Sequence, residues 1–191
     1  MKKSSVLFAV IFFFLISTVA FAQEFSADML DTTPGRTFQG KIFVTKDKVR
    51  MDMPEAITIS RIDKKVVWMI IPAQQMYMEQ PFNPANIPAT ADKIMGEIER
   101  KFLGKETVDG KPADKYRVTY EIEGRRNTVI QWIAKDFKIP VKTASEDGSW
   151  VVEYRNIRIG SQPENLFEIP VGYKKFSMGS SLPRGLGDLF K

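Results

Sequence analysis

Carboxylates are the candidates we consider for acid–base chemistry in this chain of 191 residues, because the sequence contains neither histidine nor cysteine. The two absences exclude a Ser-His-Asp triad, a thiolate nucleophile, a disulfide and a metal site built on imidazole or thiolate ligands. Two carboxylates that face each other across a cleft can still cleave a glycosidic bond. Most acidic candidates lie in or beside predicted turns, where Asp is favoured by its own hydrogen bonds to the backbone. They are Asp28, Asp31, Asp109, Asp114, Glu146 and Asp147. We therefore predict a protein that is not an enzyme and has no cofactor or metal, with a carboxylate-based hydrolase as the less favoured alternative.

Basic residues outnumber acidic ones only slightly, 28 to 23, which gives a net charge of +5. So mixed a balance does not indicate a nucleic-acid partner. The basic residues gather mostly at predicted turns, for example Lys64-Lys65 and Arg125-Arg126, where solvated turn charges are the ordinary interpretation. If these turns meet at one rim of a sheet, they allow peripheral contact with an anionic membrane surface.

The first 22 residues have the three-part pattern of a secretory signal peptide. Lys2 and Lys3 precede an uncharged, mostly apolar run from Val6 to Val19, and Ala20-Phe21-Ala22 follows with small residues at the cleavage positions. A membrane anchor is the alternative, but the run is shorter than the ~20 residues that cross a bilayer. No cysteine follows it, which excludes a diacylglyceryl-modified lipoprotein. We expect residues 1–22 to be cleaved after Ala22 and the mature protein to be periplasmic.

Period-two alternation, typical of half-buried strands, dominates the chain after residue 23. It runs across residues 36–45, returns between short polar turns up to about residue 79, and resumes from residue 115 to 159. Hairpin-sized loops such as Asp109-Gly110 separate the runs. The spacing predicts one mainly β domain over residues 23–176, an antiparallel meander with one or two helices. A Gly-, Ser- and Pro-rich segment, 177–191, is expected to be a flexible C-terminal tail.

The alternation breaks once, in the middle of the chain. Three prolines mark an irregular stretch, after which Thr90 is a candidate N-cap and Gly104 a candidate stop. Four apolar residues between them fall on one helical face: Ile94, Met95, Ile98 and Phe102. We expect a single long helix over Ala91–Leu103.

Methionine is unusually frequent in the first half of the predicted sheet. Its flexible, polarizable side chain suits a surface that accepts variable apolar ligands, although it fills gaps in an ordinary core equally well. A sheet with so much apolar surface and one helix must hide the surplus by curling, with a partner or with a ligand. The residues expected to line a lipid-binding site are Met51, Met53, Trp68, Met76, Met78 and Trp132 on the sheet, with Ile94, Met95, Ile98 and Phe102 on the covering helix.

Residues 24–176 resemble the LolA/LolB-like superfamily of periplasmic outer-membrane lipoprotein-sorting-like proteins, and within it an uncharacterised lipoprotein-sorting-like branch. The resemblance lies in the meander from Arg36-Thr37-Phe38 through Trp68 to Met78, the mid-chain helix and the closing segment 166–173. It implies a strongly curved antiparallel sheet, a half-barrel, with a helix covering the concave side and acyl chains held between them. Lipoprotein carriers of that superfamily open with a long helix, whereas residues 24–29 here predict a strand.

The sequence therefore predicts a periplasmic, non-enzymatic protein that holds lipid or lipoprotein acyl chains in an apolar groove, as an envelope carrier or sensor. The alternative is an envelope scaffold whose sheet is filled by its own side chains and docks a protein partner. A groove wide enough for an acyl chain favours the first function, and a filled sheet favours the second.

Overall fold

A computed structural model describes residues 23–84 and 90–176 of the chain. The predicted signal peptide, 1–22, and the predicted tail, 177–191, lie outside the described residues, so both stay predictions. Helical structure within the described part is limited to short 3₁₀ turns, including Pro72–Gln74 and Glu164–Phe167. No helix among the described residues is long and apolar enough to cross a membrane.

One sheet of twelve strands makes up the fold, in the order β12-β6-β5-β4-β3-β2-β1-β11-β10-β9-β8-β7. Neighbouring strands are antiparallel except β12, which runs parallel to β6. This confirms the mainly β class and the open, curved antiparallel sheet. The strands are β1 Phe25–Thr33, β2 Arg36–Val44, β3 Lys48–Asp52, β4 Ile57–Arg61, β5 Val66–Ile71, β6 Met76–Pro81, β7 Glu97–Val108, β8 Lys111–Ile122, β9 Arg125–Ala134, β10 Pro140–Ser145, β11 Val151–Ile159 and β12 Lys174–Lys175.

The predicted helix over Ala91–Leu103 is wrong. Its second half belongs to β7, which pairs with β8 along its whole length. Just before β7, Gly96 adopts a left-handed φ of +74°, and its carbonyl accepts a hydrogen bond from the Glu121 amide at 2.9 Å. The ladder to β8 satisfies the backbone of this segment, and such tertiary pairing overrides weak local helix propensity. Consequently Ile94 and Met95 precede β7, while Ile98 and Phe102 lie on it, without a shared helical face.

Strand register divides the side chains between two faces. On the first, which we call the concave face, Phe25 lies opposite Val44 and Met29 lies opposite Tyr154. Val49 continues this row from Val44 onto β3. All five side chains are buried in one core cluster, so the concave face holds a principal core of the domain.

The connection between β6 and β7, residues 82–96, requires the sheet to curl. Ten inter-strand steps separate these strands, about 48 Å on a flat sheet at ~4.8 Å per step. The 15 residues of the connection span at most about 50 Å when fully extended, yet its described part contains turns. Residues 90–95 border the same cavity as Val44 and Tyr154. The described end of the connection, residues 90–95, therefore lies over the concave face, and the sheet curves beneath it.

The opposite face, which we call the outer face, is closed over β3–β6 by the chain's own C-terminal segment, residues 160–176. Phe167 is fully buried there against Ile59, Trp68 and Ile70. Arg61, only 4% exposed, donates hydrogen bonds to the Phe167 carbonyl and to the carboxylates of Asp63 and Glu168. This packing buries Trp68 and Ile70, the side chains of β5 that face the C-terminal segment.

Candidate functional site

A cavity of about 720 Å³ lies between the concave face and the β6–β7 connection. Val44 on β2 and Tyr120 on β8 both line it, although five inter-strand steps separate their strands in the sheet. Sheet curvature thus wraps the floor around the cavity, whose volume falls in the range of small-molecule sites, about 300–1,000 Å³. The apolar part of the floor is formed by Val44, Val49, Ile122, Val129, Ile139 and Val152.

The described end of the β6–β7 connection covers this cavity. Ile94 and Met95 both line it, although Met95 is 63% exposed on its other side. The cover is tied to β7 through Arg100, which donates a hydrogen bond to the Asp92 carbonyl at 2.6 Å and forms an ion pair with Glu97 at 2.7 Å. These two contacts join the described end of the cover to β7.

The charge on Glu97 strengthens that tie. Hydrogen bonding from Arg100 holds the pKa of Glu97 below its ordinary value, so the carboxylate is ionised at neutral pH. It also accepts a hydrogen bond from the Ile94 amide at 3.3 Å. One ionised side chain therefore connects β7 to a residue that lines the cavity.

Two tyrosines, Tyr120 and Tyr154, line the cavity together with Thr45 and Thr143. Tyr154 is 3% exposed, and burial, with a smaller contribution from the Asp31 carboxylate, raises the pKa of its phenol. Burial also raises the pKa of Tyr120. Both phenols therefore stay protonated at neutral pH, and the interior of the cavity offers neutral hydrogen-bonding groups.

Charged residues line the cavity at exposed positions. They are Lys46, Lys93, Lys138 and Asp92. The local balance among these described residues is three cations to one carboxylate. The cavity thus combines an apolar floor with a net positive border.

The methionines predicted to bind a ligand share the concave face but lie outside the cavity. Met51 faces the same side as Ile42 and packs, with Met53, against the core cluster of the concave face. Met78 lies opposite Met69, with Met76 two residues before it on the same face of β6. Among these four, Met51, Met53 and Met76 are half-buried and Met78 is buried. Their alternation was predicted correctly, while their binding role stays a prediction.

The two predicted tryptophans lie on the outer face instead. Trp68 packs against Phe167 and donates a hydrogen bond to Glu79 at 3.0 Å. Trp132 lies between the ammonium groups of Lys115 and Lys142, each 4.9 Å from its ring. Cation–π contacts of this kind stabilise a ring locally, and Trp132 is itself buried in a core cluster. Both tryptophans therefore have structural partners on the side away from the cavity.

Two further predicted residues lie on edge strand β7. Ile98 is 53% exposed and Phe102 is 51% exposed. The Phe102 ring packs edge-on against Tyr116, with 5.6 Å between centroids. Neither residue lines the cavity, so of the ten predicted site residues only Ile94 and Met95 do so.

Sequence reasoning missed the residues that β10, β11 and the β9–β10 loop bring to the cavity. Val152 and Tyr154 alternate along β11, and Phe137 and Ile139 come from the loop before β10. The alternation of Trp150, Val152 and Tyr154 was a usable signal, because it places three large side chains on one face. The loop residues carry no comparable periodic signal.

None of the six candidate catalytic carboxylates lines the cavity. Burial raises the pKa of Asp31. No group of three or more described acidic residues is arranged to hold a metal ion. The other five carboxylates have structural partners: Asp28 with Asn156, Asp109 with Lys111, Asp114 with Lys135, Glu146 with Arg117 and Asp147 with Ser149. The site geometry therefore gives the hydrolase alternative no support.

Comparison with known proteins locates the chain in a family. A model described as "Domain of unknown function (DUF4412)" matches residues 26–139. No curated protein matches the chain.

Among solved structures, a crystal structure of MucB is similar, with a TM-score of 0.50 and 14% identity over 78% of this chain. The chain spans 58% of the length of that MucB chain. The complex of Pseudomonas aeruginosa MucA and MucB gives a TM-score of 0.44, 17% identity and coverage of 76% of this chain and 55% of the other. A putative outer membrane lipoprotein-sorting protein domain from Vibrio parahaemolyticus gives 0.41, 11% identity and coverage of 76% and 89%. The likeness to MucB confirms the LolA/LolB-like fold and extends no further than the fold.

Proposed function

The chain belongs to the DUF4412 family, and on that premise we propose that it is a periplasmic, non-enzymatic protein that binds the acyl chain of a lipid or lipoprotein in the concave-face cavity. The signal-peptide pattern over residues 1–22 supports the periplasmic part of this proposal. The roles that fit are an envelope carrier, which releases the chain to an acceptor, and a sensor, which reports its presence.

The observation that carries the proposal is the open volume between sheet and connection. A scaffold that hides its surplus apolar surface internally has a filled concave face, whereas this one leaves about 720 Å³. The floor is largely apolar, and its polar side chains are the hydroxyl-bearing Tyr120, Tyr154, Thr45 and Thr143. That composition matches ligand sites that bury an apolar body and orient it with a few polar contacts.

The energetics of burial allow useful affinity. Each buried methylene contributes about 0.8 kcal/mol, so about 14 methylenes contribute about 11 kcal/mol. Lost translational and rotational freedom costs at least about 4 kcal/mol. The difference, at most about 7 kcal/mol, corresponds to a dissociation constant no tighter than the micromolar range.

A neighbouring pair of valines on β11 tests the site. Val152 lines the cavity, while Val151 is half-buried beside it on the outer face. We expect Val152→Trp to weaken binding of a fluorescent fatty acid at least tenfold by filling the cavity, because over-packing leaves no room for the ligand. Val151→Trp is the matched control and should bind as the wild type does. Urea unfolding of both variants corrects for loss of folded protein.

Equal binding by the two tryptophan variants, with both folded, would place the ligand elsewhere on the protein. Absence of any uptake by the wild-type protein, together with a ligand-free mass when it is purified from its own cells, would overturn acyl-chain binding altogether.

A second candidate function, docking of a protein partner, is favoured by the edge of the sheet at β7. This strand is twelve residues long and is the terminal strand of the sheet among the described residues. Its large apolar side chains are exposed: Ile98 53%, Phe102 51% and Leu103 45%. A long, exposed, apolar edge is suited to accept an extended segment of a partner as an added strand.

Photo-crosslinking in the envelope distinguishes this candidate. A crosslinker at Phe102 should capture a defined partner, whereas one at Phe38, an exposed phenylalanine on interior strand β2, should not. If crosslinkers at Phe102 and Phe38 capture the same proteins, those proteins contact this chain without adding a strand at β7.

A further inference from the structure

Two lysines border the cavity at the same end of the sheet. Lys46 lies two residues beyond Val44, the end of β2, and Lys138 immediately precedes Ile139, in the loop before β10. Val44 and Ile139 belong to one core cluster, so the two strand ends lie together on the curled sheet. Both lysines line the cavity and are exposed.

Neither lysine is in an ion pair with a described residue, although several other basic residues at strand ends are. Lys48 pairs with Glu164, Arg61 with Asp63 and Lys135 with Asp114. Asp92 is the sole carboxylate among the described residues that line the cavity. It belongs to the cover, and its own carbonyl is bound by Arg100 near β7.

The third lysine of the lining, Lys93, belongs to the cover, next in sequence to Asp92, and acts electrostatically on Glu97. An apolar cavity that ends at the two unneutralised cations Lys46 and Lys138 is complementary to an amphiphile with an acidic head group. A neutral apolar ligand would gain nothing from these lysines, whereas an anion at the opening gains Coulomb attraction from both. Resting on the proposed acyl-chain function, we propose that the ligand carries an anionic head group, a carboxylate or a phosphate, held at the opening by Lys46 and Lys138.

Three ligands of equal chain length test the head group. Dodecanoate, dodecyl phosphate and dodecanol are used, below their aggregation concentrations and at neutral pH, to displace the neutral probe N-phenylnaphthylamine from the protein. Exposed ion pairs contribute modestly, so we expect each anion to bind about tenfold more tightly than dodecanol, which is about 1.4 kcal/mol. Added salt should shrink that preference, because it screens exposed charges.

The variant Lys46→Gln/Lys138→Gln should lose the anion preference and keep its affinity for dodecanol. The matched control is Lys101→Gln/Lys105→Gln, which removes two exposed lysines of β7 outside the cavity and should keep the preference. A stronger response to dodecyl phosphate than to dodecanoate assigns a phosphate head group, and the reverse assigns a carboxylate.

Wild-type protein that binds all three ligands equally would overturn the head-group proposal and leave acyl-chain binding intact. A preference that persists in the Lys46→Gln/Lys138→Gln variant would overturn the role of these lysines. Failure of all three ligands to displace the probe, or of the probe to bind, would overturn acyl-chain binding itself, and the head-group proposal with it.

Discussion

The two faces of the sheet are both apolar, yet the chain closes them in different ways. Over β3–β6 the outer face is sealed by residues 160–176, with Phe167 fully buried. The described end of the β6–β7 connection lies over the concave face and leaves a cavity of about 720 Å³. The same physical problem, surplus apolar surface on a wide sheet, is solved by packing on one side and by an open space on the other.

The polar contacts at the two closures differ as well. The C-terminal segment is held by buried Arg61, which bonds to the Phe167 carbonyl and Glu168, and by Arg50, which donates to the Leu166 carbonyl at 2.7 Å. The described end of the cover is held through the half-buried Arg100 and the turn at Gly96. Buried segments with several hydrogen bonds open less readily than exposed ones, so we expect the outer closure to be the more stable of the two.

Phe167→Ala should produce the largest effect, because it empties the packed closure. Deleting a fully buried phenylalanine typically costs about 3–5 kcal/mol in free energy of unfolding. Ile94→Ala, which shortens a half-buried side chain of the cover, should cost less than about 1.5 kcal/mol. Urea unfolding followed by tryptophan fluorescence measures both. Similar losses of unfolding free energy in the two variants would contradict the difference between a packed closure and an open one.

Gly96→Ala should have the next largest effect, because Gly96 lies in the turn that joins the cover to β7. A Cβ at Gly96 would lie 2.1 Å from the Glu121 carbonyl oxygen, so the turn must move in addition to adopting a strained positive φ. Gly124 has nearly the same φ, +73°, with nothing within 4 Å of its would-be Cβ, and Gly124→Ala is therefore the matched control.

We expect Gly96→Ala to cost about 1–3 kcal/mol more than its control, and to raise hydrogen exchange over residues 90–96 while β1 and β11 stay protected. Ligand affinity should fall with it. Equal stability of the two variants would mean that the cover does not depend on this turn.

Strand patterns were predictable because one face of each strand meets a core. Phe38, Ile42 and Val44 share a face with Gly40, as the alternation across residues 36–45 predicts, and Met51 continues that face on β3. A period of two is read directly from such a sequence, since a one-residue slip would expose the whole row.

The mid-chain helix was predicted wrongly because the spacing of its apolar residues fits both a helix and a strand. Ile94, Ile98 and Phe102 are spaced by four, which fits one face of a helix and equally fits alternate residues of a strand. Pairing with β8 and the left-handed turn at Gly96 decide between them. Both depend on parts of the chain far from this stretch.

The site was only partly predictable for a related reason. Val66–Ile71 is apolar on both faces, so the sequence does not say whether Trp68 faces the concave or the outer side. The C-terminal segment that covers Trp68 lies about a hundred residues further along the chain. The cavity itself depends on how far the sheet curls, which no local pattern encodes.

Asp63→Asn should have the smallest of the three effects, and it tests whether charge helps to hold the outer closure. Hydrogen bonding from Arg61 lowers the pKa of Asp63 to about 2 from an ordinary 3.8. A carboxyl group with a depressed pKa stabilises the fold above its unfolded-state value and loses that contribution as pH falls toward the folded-state value. The wild type should therefore exceed Asp63→Asn by about 1–2 kcal/mol at neutral pH, after allowance for partial solvent exposure.

That difference should stay constant from neutral pH to about 4 and disappear between about 4 and 2, because both proteins are then neutral at this position. Asp136→Asn is the control, since Asp136 is exposed and forms no ion pair with a described residue; it should shift stability little at any pH. Urea unfolding across this pH range gives the comparison. If the Asp63 difference is absent at neutral pH, apolar packing around Phe167 alone keeps the outer face closed, and the two faces differ in packing rather than in electrostatic anchoring.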